Sequence, residues 1–360
     1  MKILIDIGHP AHIHYFRNAI KQLQAKGHEF LITTRDKEMA IDLLKNYGFK
    51  YVCTGKNKKG VINKSLGMVR NIYRIYKEAK KFRPDIFFSF YSPFAAQAGW
   101  LMKKPVIGFA DTEFAKLSIK LTKPFTTYSF TPACFQTDLG RNHFRFKGYM
   151  ETFYLHPRYF TPDEKVLHKI GLTKDEPYFL MRFVSFAAGH DIGESGIDDH
   201  SKIQLAEYLS KKGRLFISSE GELPAQFEKY RYKAAPEDFH HLLAFATLYV
   251  GEGITTASEC AHLGTPAVLI NSLSTGYIHE EASAGLIHYM TSASGALQKV
   301  EEILEIENLK EVFQQRSLLM LRNTIDCTAF LTRLLDTFPH SIERLQQQAD
   351  GTLAKNLSII

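Results

Sequence analysis

The feature that most constrains the fold of this chain is the repeated alternation of short apolar runs with stretches that have helical spacing. Residues 2–7 and 29–33 are apolar runs of strand length, and residues 11–25 between them have apolar positions at helical spacing. Strands that alternate with helices in this way are typical of βαβ units, in which a helix connects two parallel strands. The pattern therefore predicts an α/β fold built on parallel sheets.

The alternation occurs in both halves of the chain, and the segment between the halves has a different composition. Residues 148–163 include Gly148, two prolines and several aromatic residues, as expected for a linker. A chain of 360 residues is long enough to form two domains with separate cores. We predict two doubly wound Rossmann-like domains that face each other across a cleft. The predicted boundaries are an N-terminal domain over 1–150, a linker over 151–163, a C-terminal domain over 164–335, and a tail or helix over 336–360 that could pack back on the N-terminal domain.

Charge is divided unequally between the two halves. Residues 1–150 contain 26 Lys and Arg against 10 Asp and Glu, a balance of +16, whereas residues 151–360 contain 19 against 28, a balance of −9. This asymmetry supports two separate domains and points to a polyanionic partner for the first one. The charge alone leaves nucleic acid, anionic lipid and a phosphorylated substrate open.

Two segments of the basic half, 61–82 and 114–125, combine apolar residues with lysines and arginines. Amphipathic basic segments can lie on an anionic membrane surface, although a helix packed on the core with a wet basic face has the same pattern. The longest apolar stretch, 93–102, is shorter than the ~20 residues that a membrane span needs. The four cysteines are far apart, as is typical of reduced thiols in the cytoplasm. We therefore expect a cytoplasmic protein, with peripheral contact to the inner face of the membrane left open.

The most informative local pattern lies in 248–263, where an apolar strand leads through a glycine-containing turn into a helix. The glycines permit close approach of the backbone to a ligand, and a threonine is expected to cap the helix. Free amides at the positive helix end would bind a diphosphate, and a glutamate in the first helical turns could accept hydrogen bonds from a ribose diol. An ordinary strand–turn–helix would have the same spacing. The candidate nucleotide-binding residues are Gly251, Gly253, Thr255, Thr256 and Glu259.

This stretch resembles the signature of GT-B glycosyltransferases and UDP-N-acetylglucosamine 2-epimerases. Their strand, Gly/Ser-rich turn and helix with an early Glu are followed by Leu-Gly-x-Pro, which is present here at 263–266. In those families the turn binds the diphosphate and the Glu binds the ribose. The resemblance implies the same roles for Gly253, Thr255, Thr256 and Glu259.

Nearly the whole chain also resembles an uncharacterised bacterial and archaeal family of GT-B-like proteins. The motifs that carry this resemblance are Asp6-Ile-Gly-His-Pro-Ala-His-Ile-His14, Gly148-Tyr-Met-Glu151 and Arg182-Phe-Val-Ser185. The resemblance implies a GT-B fold for the chain, and it implies a fold more than it implies a reaction.

Three histidines, His9, His12 and His14, lie between the first predicted strand and its helix. A neutral imidazole suits a general base that removes a proton from an acceptor hydroxyl, whereas helix capping is the alternative role. These three residues come from one element, so no metal site is expected. The loop is similar to that of the lipid-intermediate N-acetylglucosaminyltransferase of peptidoglycan synthesis, with His12 at the matching position. The glycine pair of that enzyme is missing here.

Further candidates follow other predicted strands. Asp111 is expected to act as a base or to orient a histidine, with helix capping as the alternative, and an acidic residue occupies its position in the 2-epimerases that the chain resembles. Arg182 is suited to bidentate binding of diphosphate oxygens, and Ser185 follows it. The predicted contacts to the donor sugar are Thr275, Gly276 and Glu280.

These features favour an inverting, metal-independent glycosyltransferase that uses a nucleotide sugar, with UDP as the expected nucleotide, and works in cell-surface glycan or lipid-linked saccharide synthesis. No cofactor is expected beyond the sugar nucleotide, and a lipid-phosphate or anionic glycan is the expected acceptor. The first alternative is a UDP-sugar 2-epimerase or hydrolase, which Asp111 supports. The second is a nucleic-acid-binding protein; no nucleic-acid partner is expected, because the basic residues accompany no recognised nucleic-acid-binding motif.

Overall fold

The structure is a computed structural model that describes residues 1–36, 40–56, 61–184 and 196–349. It contains two sheets in which every strand pairs in parallel with its neighbours. The first sheet has seven strands in the order β3-β2-β1-β4-β5-β6-β7, and the second has five in the order β12-β11-β10-β8-β9. The predicted α/β class with two parallel sheets is therefore confirmed.

The first sheet and its helices are formed by the N-terminal part of the chain. The elements are β1 (Lys2–Ile7), α1 (Pro10–Ala25), β2 (Glu29–Asp36), α2 (Ala40–Asn46), β3 (Tyr51–Lys56), α3 (Val61–Phe82), β4 (Ile86–Ser89), α4 (Pro93–Leu101), β5 (Val106–Phe109), α5 (Lys116–Thr122), β6 (Tyr128–Pro132) and β7 (His143–Phe146). A short 3₁₀ turn over Lys123–Phe125 follows α5.

The second sheet follows after α6 (Thr152–Leu155) and α7 (Lys165–Lys169). Its elements are β8 (Tyr178–Phe183), α8 (Asp199–Lys212), β9 (Arg214–Ser219), α9 (Phe239–Phe245), β10 (Leu248–Gly251), α10 (Ile254–Leu263), β11 (Ala267–Ile270), α11 (Gly276–Ser283), β12 (Ile287–Met290), α12 (Ala296–Leu304) and α13 (Leu309–Arg322). The chain then forms α14 (Cys327–Asp336) and α15 (His340–Ala349), and further 3₁₀ turns cover Ala225–Tyr230 and Pro236–Asp238.

The central strands are apolar on both faces because helices cover both sides of each sheet. Ile3, Leu4 and Ile5 of β1 are consecutive and fully buried, and β10 and β11 are buried over their whole length. Such continuous burial is typical of parallel sheets and explains why these strands are short apolar runs in the sequence. Among the helices of the described ranges, none combines the length and the apolar composition needed to cross a membrane.

The chain divides into two compact units at positions that differ from the predicted boundaries. The first unit comprises Met1–Tyr154 together with the segment from Ile325 onward, and the second comprises Leu155–Thr324. The second unit ends before the predicted residue 335 because α14 packs on α1. In that contact Thr332 Oγ1 donates to Gln22 Oε1 over 2.9 Å, and Asp336 pairs with Lys26 and His28. The first residues of the predicted linker, 151–154, are buried in the first unit.

Each sheet has one topological switch point, where the chain changes from adding strands on one side to adding them on the other. In the first sheet it lies between β1 and β4, and in the second between β8 and β10. Ligands of open parallel sheets bind beyond the carboxyl ends of the strands at such points. The residues after these four strands are therefore the natural place to look for a site in each unit.

Candidate active site

The switch point of the second unit is lined by Arg182 of β8 and by the glycine turn that follows β10. Tyr249 and Gly251 are two residues apart on β10 and therefore face the same side of the sheet. A Cβ atom at Gly251 would lie 2.6 Å from Tyr249 Oη and 2.7 Å from the carbonyl oxygen of Arg182. Glycine at this position is thus required by the tyrosine side chain and the neighbouring strand. Tyr249 was not among the residues predicted from the sequence.

The hydroxyl of Tyr249 holds the turn in place. It lies 3.3 Å from the amide nitrogen of Gly253 and 3.4 Å from its carbonyl oxygen. Tyr249 is fully buried, and this burial raises the pKa of its phenol far above the ordinary value, so the hydroxyl stays protonated. The tyrosine therefore ties the turn to the strand that precedes it.

Helix α10 begins earlier than the sequence pattern predicts. Its N-cap is Gly253, without a side-chain capping bond, so the prediction that Thr255 or Thr256 caps the helix is wrong. Both threonines lie in the first helical turn, because the helix already starts at Ile254. The first amides of a helix have no acceptor within the helix and face the end of the positive dipole. The start of α10 therefore presents backbone amides without a capping side chain, and their binding of a diphosphate stays a prediction.

Arg182 lies directly against this turn. A Cβ at Gly253 would be 3.1 Å from Arg182 Cδ, so the absence of a side chain at 253 makes room for the arginine. The guanidinium donates from Nη2 to Glu220 Oε1 over 2.9 Å and from Nη1 to Ser218 Oγ over 3.4 Å. Arg182 is therefore positioned beside the helix start by two residues at the end of β9. Ser185, the other residue predicted here, lies outside the described residues.

Glu259 points into the interior of the second unit. Its Oε1 lies 2.8 Å from Nε2 of His240 on α9, and both side chains are more than nine-tenths buried. A carboxylate so deep in the protein needs a hydrogen-bonded partner, which the histidine provides. The sequence singled out the glutamate but not His240, which is 19 residues away along the chain.

Glu252, between the two glycines, has a structural role that sequence reasoning missed. Its carboxylate accepts from the backbone amides of Val184 and Ile197, both over 2.7 Å, and Lys202 Nζ lies 3.7 Å away. Burial raises the pKa of Glu252, while these partners act in the opposite direction. The side chain therefore fixes the end of β8 and the approach to α8 relative to the glycine turn.

The predicted donor-sugar residues lie at the start of α11. Thr275 is its N-cap and makes no side-chain capping bond, and Gly276 begins the helix. Thr275 is 2% exposed, and its Oγ1 has no hydrogen-bond partner among the described residues. Glu280 is exposed, whereas the next residue, Glu281, is buried and accepts from Ser258 Oγ over 2.6 Å. Of the three predicted residues, Thr275 is thus the one whose buried side-chain hydroxyl lacks a hydrogen-bond partner among the described residues.

The switch point of the first unit is held together by a buried carboxylate. Asp6, at the end of β1, accepts from Ser92 Oγ over 2.5 Å and from Thr33 Oγ1 over 2.8 Å. Ser92 is also the N-cap of α4, so these bonds tie β1, β2 and the start of α4 together. Burial raises the pKa of Asp6, and the two hydroxyls and the charge of Arg35 counteract that rise. Asp6 was cited from the sequence only as part of a family motif.

The three histidines after β1 have different environments. His9 is exposed and caps α1, its Nδ1 accepting from the amide of Ala11 over 3.2 Å. His14 is buried, with Nδ1 3.4 Å from Arg17 Nη1 and its ring stacked on Tyr154. The capping alternative therefore holds for His9, and His14 is part of the interior.

His12 is half-buried at the switch point, with its ring centroid 4.6 Å from that of Phe90, the residue after β4. Its Nδ1 accepts from the amide of Gly8 over 3.3 Å. A ring nitrogen that accepts a hydrogen bond carries no proton, so the neutral imidazole has its proton on Nε2. In this arrangement His12 is a hydrogen-bond donor through Nε2, which suits it less to the predicted role of base.

Asp111 lies just after β5, the strand that pairs with β4. Its side chain is buried, and Oδ1 accepts from Thr112 Oγ1 over 2.5 Å. Burial raises the pKa of Asp111 to about 7; Thr112 lowers it, and the nearby charge of Glu113 raises it further. A carboxyl that titrates near neutrality can both accept and release a proton at pH 7.

A cavity of about 830 Å³ lies elsewhere in the second unit, beside the start of β9. Three of the cations in its lining are bonded to protein groups: Lys169 to Asp238, Arg214 to the carbonyl of Gly171, and Arg231 to Glu228. The start of a parallel strand is at the opposite edge from the switch point. This cavity is therefore not part of the candidate site.

Residues 1–273 of the chain match the model of a family described as "Protein of unknown function (DUF354)". An uncharacterised protein of Methanocaldococcus jannaschii is 27% identical over 283 residues, which make up 74% of this chain and 81% of that protein. These matches confirm the predicted resemblance to an uncharacterised family with an archaeal member.

Solved structures of two enzyme classes are similar to the chain. The UDP-N-acetylglucosamine 2-epimerase of Neisseria meningitidis, bound to its UDP-sugar, gives a TM-score of 0.60 at 14% identity and covers 99% of this chain and 100% of its own. The 2-epimerase of M. jannaschii gives 0.59 at 13%, covering 85% and 94%. A glycosyltransferase of Streptomyces sp. SF2575 gives 0.59 at 13%, covering 94% and 100%. At such identities the likeness shows the fold, and the predicted GT-B fold is confirmed.

Proposed function

The chain belongs to the DUF354 family of proteins of unknown function, and we propose that it is an inverting glycosyltransferase with a UDP-sugar as donor. The second unit is proposed to bind the nucleotide diphosphate, and the first unit to supply the groups that act on the acceptor. The product would be a cell-surface glycan or a lipid-linked saccharide. The proposal includes no cofactor and no metal, since helix amides and an arginine can stabilise the leaving diphosphate.

The observation that carries the proposal is the pairing of a backbone anion site with a positioned arginine at a topological switch point. The start of α10 offers amides that have no intrahelical acceptor, and Arg182 lies within contact distance of Gly253 at the same turn. Glu220 and Ser218 hold the guanidinium without blocking its whole fork, because Arg182 is still 28% exposed. Such a fork is well matched to diphosphate oxygens.

We propose Asp111 as the base of the transfer step. Its carboxylate takes the proton of the acceptor hydroxyl while that oxygen forms a bond to the anomeric carbon. The bond from the anomeric carbon to the diphosphate oxygen breaks, and its electron pair leaves with the diphosphate. His12, with its proton on Nε2, is suited to hold the acceptor by a hydrogen bond. The pKa of Asp111, about 7, matches this use near neutral pH.

A second candidate is a UDP-sugar 2-epimerase or hydrolase. The same raised pKa favours it, because a carboxyl that both accepts and returns a proton near pH 7 serves epimerisation as well. The solved epimerases that share the fold are consistent with either reaction. The two candidates share the nucleotide site and differ in whether a second substrate is needed.

The nucleotide site is tested by calorimetry with UDP. Replacing Arg182 by Ala should weaken UDP binding by about 1–3 kcal/mol, the usual effect of losing a charged hydrogen bond. Arg214→Ala is the matched control, because that arginine lies at the start of β9 and bonds to Gly171. Unchanged UDP affinity in Arg182→Ala would remove the nucleotide from this site.

The reaction class is tested by incubating the protein with UDP-N-acetylglucosamine in deuterated water. An epimerase removes and returns the proton at C2 and therefore incorporates deuterium without any acceptor. A transferase leaves C2 unlabelled and releases UDP only when an acceptor is added. Label at C2 would make the epimerase the correct assignment.

A further inference from the structure

Large apolar side chains are exposed mainly on one part of the first unit. Among the described residues, five of the seven exposed large hydrophobic side chains belong to α3, α4 and α5. A concentration of this kind marks an interaction site, whereas single exposed apolar residues are ordinary. Their exposed fractions are 67% for Val69, 63% for Tyr73, 58% for Trp100, 52% for Leu101 and 71% for Leu117.

The three helices form one supported surface, which we call the α3–α5 surface and define by those five side chains. Helix α4 contacts both α3 and α5. Beneath the surface, Ile72 and Ile75 of α3 belong to the same buried cluster as Ala96 and Ala98 of α4. The indole of Trp100 packs edge-on against Phe125, with the ring centroids 5.5 Å apart. The exposed groups therefore stand on a packed core.

The surroundings of the α3–α5 surface are strongly cationic. The segments 93–110 and 114–125 contain no Asp or Glu, and in α3 the single acid, Glu78, is paired with Lys81 over 2.7 Å. Among the described side chains, the exposed cations on these helices and the loops beside them are Arg70, Arg74, Lys77, Lys80, Lys81, Arg83, Lys103, Lys116, Lys120 and Lys123. An apolar patch with such a rim is complementary to a surface that is anionic outside and apolar inside.

The structure changes the set of residues expected to make this contact. From the sequence alone, the basic residues of the segment 61–82 predict a contact through Lys64, Arg70, Arg74, Lys77 and Lys81. Arg74 donates to the carbonyl of Thr54 over 2.5 Å and Lys81 is paired with Glu78, while the side chain of Lys64 lies outside the described residues. Three of the five exposed apolar side chains, together with Lys103, Lys116 and Lys120, lie instead on α4, α5 and the loop after α4.

We propose that the α3–α5 surface docks on an anionic lipid bilayer. Trp100, Leu101 and Leu117 would enter the headgroup region, where aromatic and aliphatic side chains are stable, and the lysines would meet the anionic headgroups. A second copy of the chain is a poor occupant, because it would place cations against cations. The inference goes beyond the proposed function, since docking needs neither nucleotide nor sugar.

The test is sedimentation of the full chain with two kinds of vesicle, pure phosphatidylcholine and phosphatidylcholine with about one third phosphatidylglycerol. The bound fraction should be about tenfold or more higher on the anionic vesicles, and it should fall as salt screens the lysines. Trp100→Ser with Leu101→Ser should remove most of this binding, and Lys116→Glu with Lys120→Glu should do the same.

Two matched controls locate the effect. Leu318→Ser with Leu319→Ser removes apolar groups of similar exposure, 51% and 59%, from α13 of the second unit. Lys211→Glu with Lys212→Glu reverses two exposed charges on α8. Both controls should bind vesicles like the unmodified protein.

Denaturant unfolding of each variant shows that it is folded, and this control does not depend on the nucleotide site. Negligible binding to both vesicle types, or equal losses in the variants and their controls, would overturn the docking surface. So would light scattering that shows a dimer abolished by the Trp100 and Leu101 changes, because the surface would then contact a second copy.

Discussion

The switch-point regions of the two units present different chemical groups. In the second unit the backbone amides at the start of α10 lie beside Arg182, which Ser218 and Glu220 hold in place. The nearby carboxylate of Glu252 is tied to the amides of Val184 and Ile197. In the first unit the side chains at the same edge of the sheet include His12 after β1 and Asp111 after β5, both of which can carry an exchangeable proton. Under the proposed function, the edge of the second unit would hold the diphosphate and the edge of the first would transfer the proton.

This difference separates binding from chemistry in a testable way. Changes at the edge of the second unit should alter affinity or stability and leave proton transfer alone. Changes at the edge of the first unit should alter turnover and its pH dependence and leave UDP affinity alone. A single substitution that changed both properties to a similar extent would show that the comparison is too simple.

The largest effect is expected at Asp111. Asp111→Asn should lower turnover of the UDP-sugar by about 10²–10⁴-fold, the usual contribution of a general base, with UDP affinity unchanged. In the unmodified protein kcat/KM should rise with pH and level off above about 7, where the carboxyl is ionised. Glu113→Gln removes the like charge beside Asp111, so it should move this rise to lower pH. A pH profile that is the same in Glu113→Gln would contradict the assignment.

The stability of Asp111→Asn shows whether a loss of turnover in this variant is caused by unfolding. The pKa of Asp111 is raised in the folded state, so its contribution to stability is full below the unfolded value near 4 and is lost as pH rises to about 7. At pH 8 Asp111→Asn should therefore be more stable than the unmodified protein, by up to roughly 4 kcal/mol from about 1.4 kcal/mol per pKa unit. Denaturant unfolding of both proteins at about pH 4.5 and about pH 8, where Asp111 of the folded protein is mainly protonated and mainly ionised, measures this difference in the free energy of unfolding.

A smaller effect is expected at Gly251, where a substitution should lower the stability of the protein and should not act on the proton transfer step. A methyl group there would lie 2.7 Å from a backbone oxygen and 2.6 Å from a buried tyrosine hydroxyl, and neither can move freely. Gly251→Ala should lower the free energy of unfolding by about 1–3 kcal/mol, as overpacking does. Gly221→Ala is the control, because nothing lies within 4 Å of its Cβ position. Equal stability of the two variants in urea would rule out this account of the turn.

The features predictable from the sequence were those encoded by neighbouring residues. Strand β1 was predicted with its observed bounds, Lys2–Ile7, because every position after Lys2 is buried and the run is short. Helix α13 was missed because only Phe313 and Ser317 of it are buried, so no apolar stripe marks it. The edge strand β7 was missed because its sequence, His-Phe-Arg-Phe, is only partly buried.

The same limit applies to the candidate site. The glycine turn and Glu259 were visible because they lie in one continuous segment. The partners of Arg182 and Glu259 were not visible in the sequence. Glu220 reaches Arg182 only through the order of the strands, and His240 reaches Glu259 only through the packing of α9 on α10. The tautomer of His12 depends on the hydrogen bond from Gly8, which the sequence does not specify.

The smallest effect, and the most specific one, is expected at Thr275. Its hydroxyl is buried without a hydrogen-bond partner among the described residues, at the start of α11 where helix amides face outward. An unpaired buried hydroxyl destabilises the free protein, so Thr275→Val should raise the free energy of unfolding by up to about 1 kcal/mol. If the hydroxyl binds the donor sugar, the same variant should bind the UDP-sugar a few-fold more weakly and UDP equally well. Thr328→Val is the matched control: its hydroxyl donates to the carbonyl of Phe153 over 2.6 Å, so this variant should be destabilised. Stability that falls in both variants would mean that Thr275 already has its partner within the protein, and that the edge of the second unit offers a ligand its backbone and Arg182 alone.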